Sequence, residues 1–328
     1  MTCPPVILLI FNRPLETFRI FERIREARPE KLLVVADGPR ASRPGEAERC
    51  RETRAVIEQV DWPCQVLTNF ADTNMGCGRR VASGLDWAFE QVDEAVILED
   101  DCLADPTFFP FCGELLERYR ADERVMMISG DNFQNGASRT PDSYYFSQVP
   151  HCWGWATWRR AWQHCDFTMR EWRQKRDMRP IRAVARHPVL ERRWQQYFDE
   201  VTTGRIDTWD FQWLHCMLAR NGLSIVPDVN LVTNIGFGAA ATHTLTVDGH
   251  GAVPSRPMKF PLRHPAKVEP CEEADDFENE YLHRLSKLTL IDLLYLRVRP
   301  MVTLMRPFLE RTGLWVRLYR LAARLRAS

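Results

Sequence analysis

The feature that most constrains the fold is an apolar run that leads directly into three acids. The run 95–98 reads Ala-Val-Ile-Leu and is followed by Glu99, Asp100 and Asp101. A short, partly β-branched run is typical of a strand that is buried on both faces, and ligands bind at the carboxyl ends of such strands in open α/β sheets. Adjacent carboxylates repel one another and favour a bound cation, for which Mg2+ or Mn2+ is suited to oxygen ligands. The alternative is a solvated acidic turn.

Further apolar runs indicate an α/β fold. Runs at 5–11, 32–36 and 125–129 read as buried strands, and a helical pattern separates the first two. This order predicts parallel strands joined by right-handed crossovers. Arg13 and Asp37 follow the first two strands, so both are expected near the acids. An arginine there can hold a phosphate and an aspartate can hold ribose hydroxyls, but either can also be a surface residue in a turn.

A glycine-containing turn at 74–80 opens the next predicted helix. Its Gly-x-Gly lacks the third glycine of the dinucleotide fingerprint, so it does not predict a dinucleotide site. Arg79 and Arg80 stand in the first turn of that helix, although the helix dipole there favours anions. A bound diphosphate would explain both arginines, and so would simple exposure to solvent.

The composition is that of an ordinary globular chain with a basic end. The 328 residues suffice for one large domain or two, and 45% are hydrophobic. A formal net charge of zero argues against a general affinity for nucleic acid. Ten cysteines occur without a Cys-x-x-Cys pair, which favours reduced thiols in a cytoplasm, and no apolar run reaches the length of a transmembrane helix.

The domain boundaries follow from changes in composition. Residues 1–255 are predicted to form the α/β domain, and 256–276, rich in proline and charge, a linker. Residues 277–328 are predicted to form a basic amphipathic helical extension. It is interpreted as a helical hairpin on the body or as an element that binds an anionic membrane surface.

Three further segments carry candidate site residues. Four tryptophans within 153–162 exceed what helix packing needs, so one of them is expected to line a ligand pocket. Asp210 stands near a helix start and is a partner of the helix dipole or a catalytic carboxylate, and Asp207 or its neighbour could cap that helix. The stretch 232–246 has the glycine and alanine content of a closing lid. Its His243 is a candidate metal ligand, phosphate donor or surface histidine.

These segments together resemble a glycosyltransferase of the GT-A fold, and more narrowly N-acetylglucosaminyltransferase I and its bacterial relatives. The most specific match is the acidic triplet with the Cys-Leu and Pro-Thr-Phe-Phe that follow within 102–109. Further matches are Ile-Phe-Asn-Arg at 10–13, the Gly-Trp segment within 150–162 and Trp-Asp at 209–210. The resemblance implies a Rossmann-like mixed, mostly parallel sheet flanked by helices. Residues beyond about 270 match nothing in the family.

The resemblance also implies roles for individual residues. Asp101 would bind Mn2+ or Mg2+, Asp100 would hold the ribose and Glu99 would face the donor sugar. Asp210 would be the catalytic base, with Asp207 as the rival because the spacing differs by one residue. The other candidate donor-binding residues are Arg13, Asp37, Arg79, Trp155 and His243.

The activity implied is a metal-dependent, inverting transfer of a hexosyl or N-acetylhexosaminyl group. The donor would be a nucleoside-diphosphate sugar, UDP-linked by preference, and the acceptor a hydroxyl of a lipopolysaccharide, capsule or other cell-surface glycan, or of a lipid-linked precursor. The expected location is the cytoplasm, at the inner face of the membrane. Two other classes stay open: a metal-dependent phosphohydrolase that uses the acids, and a non-catalytic glycan-binding protein that uses the tryptophans.

Overall fold

The architecture is a central sheet with helices on both faces, seen in a computed structural model that describes residues 3–236, 253–283 and 285. The elements in chain order are β1 (Val6–Ile10), α1 (Pro14–Ala27), β2 (Lys31–Ala36), α2 (Glu46–Ala55), a 3-10 helix (Val56–Gln59), β3 (Gln65–Phe70), α3 (Cys77–Gln91), β4 (Glu94–Glu99), β5 (Cys102–Ala104), α4 (Phe108–Arg118), β6 (Val125–Ser129), β7 (Tyr144–Ser147), β8 (Trp155–Trp158), α5 (Arg159–Trp162), α6 (Arg170–Lys175), α7 (Arg179–Ala185), α8 (Pro188–Thr202), α9 (Asp210–Ala219), β9 (Leu223–Pro227), β10 (Val232–Asn234) and α10 (Glu272–His283).

Eight strands form one mixed sheet in the order β3-β2-β1-β4-β8-β6-β9-β7. The pairs β2–β3, β1–β2, β1–β4 and β6–β9 are parallel, and the pairs of β8 with β4 and β6 and of β7 with β9 are antiparallel. The predicted mixed, mostly parallel sheet flanked by helices is therefore confirmed. Because β8 runs against its neighbours, the residues that precede it lie at the edge where β1, β2 and β4 end.

The apolar runs of the sequence are central strands because both faces of the sheet are covered. In β1, Val6, Leu8 and Ile10 pack into the core on one face, and Ile7 and Leu9 pack into the core on the other. A run in which every residue is buried leaves no place for a polar side chain before the strand ends. The polar residues are therefore concentrated at the strand ends.

A two-stranded sheet follows the acids directly. β5 begins at Cys102, immediately after the triplet, and pairs antiparallel with β10. The predicted lid at 232–246 thus begins as a strand, because Val232 is buried against the core. The part of it beyond Gly236 lies outside the described residues.

The segment predicted to be a linker packs against the body. The Ser143 amide donates to the carbonyl of Arg263 (2.9 Å), and the Cys271 amide donates to the carbonyl of Phe146 (2.7 Å). α10 begins at Glu272, before the predicted start of the extension at residue 277, because Ala274, Asp275 and other residues of its first turns are buried. Residues 286–328 lie outside the described part of the chain. Within the described ranges, no helix combines the length and the apolar character needed to cross a bilayer.

Candidate active site

A cavity of about 450 Å3 lies at the carboxyl ends of β1, β2 and β4. Loops after these strands form one side of it, and the starts of α3 and α9 form another. The charged side chains that line it are Arg13, Asp37, Arg40, Arg80, Glu99, Asp100, Asp101, Asp207 and Asp210. The strand topology therefore brings together residues that are distant in the sequence, at the edge where α/β sheets bind ligands.

The acidic triplet is held by β1 and by the residue that follows its turn. The Phe11 amide donates to Asp100 Oδ2 (3.2 Å). Arg13 Nη1 lies 3.2 Å from Asp100 Oδ1 and 2.7 Å from Asp101 Oδ2. One guanidinium therefore bridges two carboxylates. Arg13 lies near the acids, as its position after the first strand predicts.

Burial and mutual repulsion make the triplet hard to ionise fully. Burial, followed by the charges of Asp101, Asp100 and Asp210, raises the pKa of Glu99 to about 8. Burial and Asp101 raise the pKa of Asp100 to about 7, although Arg13 opposes the shift. A bound cation would therefore favour the ionised form of these acids.

The whole lining of the cavity contains more acidic than basic side chains. Two of the three cavity arginines are partly committed elsewhere: Arg40 pairs with buried Glu46, with Nε to Oε2 at 3.0 Å, and Arg80 donates from Nε to the Ala36 carbonyl (3.0 Å). The lining described here comprises three guanidinium groups and six carboxylates, namely Asp37, Glu99, Asp100, Asp101, Asp207 and Asp210. An anionic ligand therefore enters this cavity favourably only together with a cation.

The oxygen donors fit Mg2+ or Mn2+. These ions commonly bind one or two carboxylates and complete their shells with water and ligand phosphates. Within residues 3–236, 253–283 and 285, no group of three or more His, Cys, Asp or Glu side chains is arranged to hold a metal ion. A cation here would therefore depend on ligand oxygens as well as on the triplet.

The chain returns to the triplet after β10. The Ile235 amide donates to the Asp101 carbonyl (2.8 Å). A Cβ atom on Gly236 would lie 2.2 Å from Asp101 Oδ2, so only glycine fits at this position without displacing the acid. The sequence marks Gly236 as part of a flexible stretch but does not show this contact.

Asp37 is tied to the turn before α3. Its carboxylate accepts hydrogen bonds from the amides of Gly38 (2.8 Å), Met75 (2.9 Å) and Gly76 (3.2 Å) and from Asn74 Nδ2 (2.8 Å). Burial nevertheless raises its pKa. These four bonds fix the end of β2 to the start of α3, and both oxygens carry two bonds each.

Asp207 caps α3 across the cavity mouth. Its Oδ2 accepts from the Cys77 amide (3.0 Å), and its Oδ1 accepts from the Gly78 amide (2.9 Å). Neither predicted cap of α9, Asp207 or Thr208, is observed: the N-cap residue is Trp209 without a side-chain hydrogen bond, and the Asp207 carboxylate is engaged at the helix that begins at Cys77.

Asp210 is the first residue of α9. Its Oδ1 accepts from the Phe211 amide (2.9 Å) and from the Thr208 hydroxyl. Within the described residues no hydrogen bond ends on its other oxygen, Oδ2. Asp210 therefore combines a fixed position with an oxygen that can take a further hydrogen bond in the cavity.

The tryptophan of the 153–162 segment that lines the cavity is Trp153, not the predicted Trp155. Trp155 is fully buried and stacks on Trp209 with ring centroids 5.3 Å apart. It lies in β8 with its side chain in the core, so it does not line the cavity. Trp153 and Trp209 do line it, together with Cys152. All four residues of β8 are buried, so the strand carries no alternation that would have shown which tryptophan faces the cavity.

Two other predicted donor-binding residues lie elsewhere. Arg79 is exposed and does not line the cavity, whereas its neighbour Arg80 is buried and does. The reason is helical geometry, because adjacent residues of α3 point about 100° apart. His243 lies outside the described residues.

No family model matches the sequence, and no curated protein matches it. Some solved structures resemble it weakly. Mouse xyloside xylosyltransferase 1, apo form, is 12% identical over 66% of this chain and 81% of that chain, with a TM-score of 0.34. A 4-diphosphocytidyl-2C-methyl-D-erythritol synthase from Anaerococcus prevotii is 8% identical over 86% of this chain and 99% of that chain (TM-score 0.36). A cytidylyltransferase from Leptospira borgpetersenii is 13% identical over 49% of this chain and only 63% of its own (TM-score 0.32). At TM-scores this low, none of these likenesses bears on function.

Proposed function

We propose that this protein is a metal-dependent, inverting glycosyltransferase that uses a nucleoside-diphosphate sugar. The observation that carries the proposal is the excess of carboxylates over arginines in a cavity at the carboxyl edge of the sheet. A diphosphate is anionic, so it needs a divalent cation to bind there. Carboxylates in such number have no use in a site that only packs sugar rings on tryptophan, and this favours the transferase over a glycan-binding protein.

The proposed metal ligand is Asp101, with Mn2+ or Mg2+ as the ion. The bound ion would neutralise the negative charge that develops on the diphosphate leaving group. Arg13, which already contacts Asp100 and Asp101, would donate charge-assisted hydrogen bonds to the phosphates. Asp100 would hold the ribose, and Glu99, at the end of β4, would face the donor sugar.

The proposed catalytic base is Asp210. Its Oδ1 is held by Phe211 and Thr208, which leaves Oδ2 to take the proton from the acceptor hydroxyl as that oxygen attacks the anomeric carbon. Attack from the face opposite the leaving group inverts the configuration. A base so placed commonly contributes about a hundred- to ten-thousand-fold in rate.

The proposed donor is a UDP-linked hexose or N-acetylhexosamine, and the proposed acceptor is a hydroxyl of a cell-surface glycan or of a lipid-linked precursor. The basic composition of the chain from Arg284 onward supports an acceptor at an anionic membrane surface. The corresponding location is the cytoplasmic face of the membrane.

The deciding experiment is thermal stabilisation by UDP, GDP and TDP, each with Mn2+ and then with chelator, on the wild type and on Asp101→Asn. A ligand at a hundred times its dissociation constant adds about 2.7 kcal/mol to the free energy of unfolding. We expect UDP to stabilise the wild type only with metal, and Asp101→Asn to lose this effect.

A matched control is Asp105→Asn, which removes an acid close in sequence to the triplet that does not line the cavity. It should keep the metal-linked shift. Stabilisation by GDP or TDP instead of UDP would change the donor and keep the class. Release of inorganic phosphate without sugar transfer would favour the phosphohydrolase, and the absence of any metal-linked shift would contradict the proposal.

A further inference from the structure

The segment that carries Asp210 is attached to α3 by Asp207. The two carboxylate oxygens of Asp207 each accept a hydrogen bond from α3, one from the Cys77 amide and one from the Gly78 amide, at 3.0 and 2.9 Å. These amides belong to the first turn of a helix, where backbone N–H groups have no partner within the helix. Asp207 thus supplies an N-cap from a distant part of the chain.

The glycines of α3 make this approach possible. A Cβ atom on Gly76 would lie 2.5 Å from Asp207 Oδ2, and Gly76 also has a φ of 84°, in the region that favours glycine. A Cβ atom on Gly78 would lie 2.5 Å from the Thr208 carbonyl oxygen and 3.0 Å from Asp207 Oδ1. Because Gly76 and Gly78 have no Cβ atom, the Asp207 side chain and the Thr208 backbone can approach the start of α3.

The cap also determines what the start of α3 can bind. A helix N-terminus attracts phosphate groups when its amides are available. Here Asp207 occupies the Cys77 and Gly78 amides and adds a negative charge beside them. A diphosphate is therefore not bound at this helix start while the cap is in place.

We infer that Asp207 is a positioning residue that fixes the Trp209–Asp210 segment against α3, and that it is not the proton acceptor. Asp207 stands three positions before Asp210, and the Gln212 side chain also donates to the Thr208 carbonyl (2.7 Å), which holds the intervening backbone. With Asp207 tied to α3, Asp210 has one location relative to the triplet. This inference rests on the proposed function and concerns the same site.

The test compares Asp207→Ala with Asp207→Asn. Alanine removes both hydrogen bonds of the cap, whereas asparagine keeps one accepting oxygen, which suffices for one of the two amides, and cannot act as a base at neutral pH. We expect Asp207→Ala to lower kcat about a hundredfold through misplacement of the base. Asp207→Asn should recover part of that loss, because one of the two hydrogen bonds can still form, while KM for the donor changes little in both variants.

Amide hydrogen exchange at Cys77 and Gly78 gives a readout that does not depend on activity. Exchange at both amides should be faster in Asp207→Ala, whereas in Asp207→Asn one of the two amides should keep its protection. If the protein transfers no sugar, the exchange data still test the cap, and the failure is then that of the proposed function. An Asp207→Asn variant as inactive as Asp210→Asn would assign the base to Asp207 and overturn the inference. Unchanged exchange and kcat in Asp207→Ala would overturn it too.

Discussion

Two clusters of acids in this protein differ in how their charge is compensated. The cavity cluster comprises Glu99, Asp100 and Asp101, with Arg13 as the cation that pairs with it. The buried cluster comprises Asp131, His151, Asp275 and Glu278. Its members come from the loop after β6, the segment before β8 and α10.

In the buried cluster, His151, Asp275 and Glu278 pair with other groups of the protein. His151 pairs with Glu278, with side chains 6% and 1% exposed. Asp275 accepts from the Ser147 hydroxyl (2.6 Å) and the Gln148 amide (3.1 Å). Its acids therefore hold α10 on the sheet, whereas the acids of the cavity cluster face a cavity. Burial and raised pKa values are common to both clusters, so what distinguishes them is whether the acids face a cavity.

The first prediction removes one acid from each cluster. Glu278→Ala removes the carboxylate that pairs with His151. Breaking a buried pair should lower the free energy of unfolding by about 3 kcal/mol. Glu99→Gln should leave that free energy unchanged or raise it by about 1 kcal/mol, because functional sites hold unfavourable charge at a cost in stability. Denaturant unfolding of the metal-free protein at neutral pH measures both.

Equal losses in the two variants would remove the distinction between the clusters. Glu273→Ala is the control for α10, because Glu273 pairs with Arg139 (3.0 Å) at the surface, with 78% of its side chain exposed. Surface ion pairs contribute little, so its effect should stay within about 1 kcal/mol.

The second prediction concerns pH and the buried cluster. Burial by itself would lower the pKa of His151, but Glu278, Asp131 and Asp275 outweigh it and raise the pKa to about 9. Burial raises the pKa of Asp131 to about 7. In both cases the folded protein holds a proton more tightly than the unfolded chain. The stabilisation is therefore complete below the unfolded pKa values and is lost as the pH rises through about 7 and then about 9.

The measurement is the melting temperature of the metal-free protein across this pH range. It should fall with rising pH, and His151→Gln, which cannot titrate, should flatten the part of the decline near pH 9. Asp131→Asn should flatten the part near pH 7. A wild-type melting temperature that rises through this range would contradict the assignment of the two groups.

The third prediction has the smallest effects and separates two arginines. Arg13→Ala should weaken metal-linked nucleotide binding by about tenfold, since a charge-assisted hydrogen bond contributes about 1.5 kcal/mol or more. Arg79→Ala should change neither binding nor stability beyond about 0.5 kcal/mol, because the residue is exposed and outside the cavity. Titration of UDP with Mn2+ present measures both, and a loss of binding in Arg79→Ala would return that residue to the site.

Much of the fold could be predicted because its strands are short apolar runs bounded by polar residues. The run that became β6 has the predicted bounds, and β2 begins at Lys31, one position before the predicted strand. The short strands β5 and β10 were missed, because three residues carry too little periodicity to be recognised. β8 was missed because its four residues are all buried and lie within a run of tryptophans, so they show no strand periodicity.

The candidate site could be predicted where its residues follow strands directly. Arg13, Asp37 and the acidic triplet were found this way, and the structure brings them to one cavity. Contacts made by residues far apart in the sequence, such as the cap of α3 by Asp207, have no local signal. The choice between Arg79 and Arg80 also depends on the orientation of α3, which the local pattern does not determine.

The distance along the chain between Asp207 and its partners has a consequence for folding. The two hydrogen bonds join residues 130 and 129 positions apart. Closing a loop of that length carries an entropic penalty that contacts within a helix do not incur, so such contacts form late. A refolding chain is therefore expected to regain its helices before it regains the contact between Asp207 and α3.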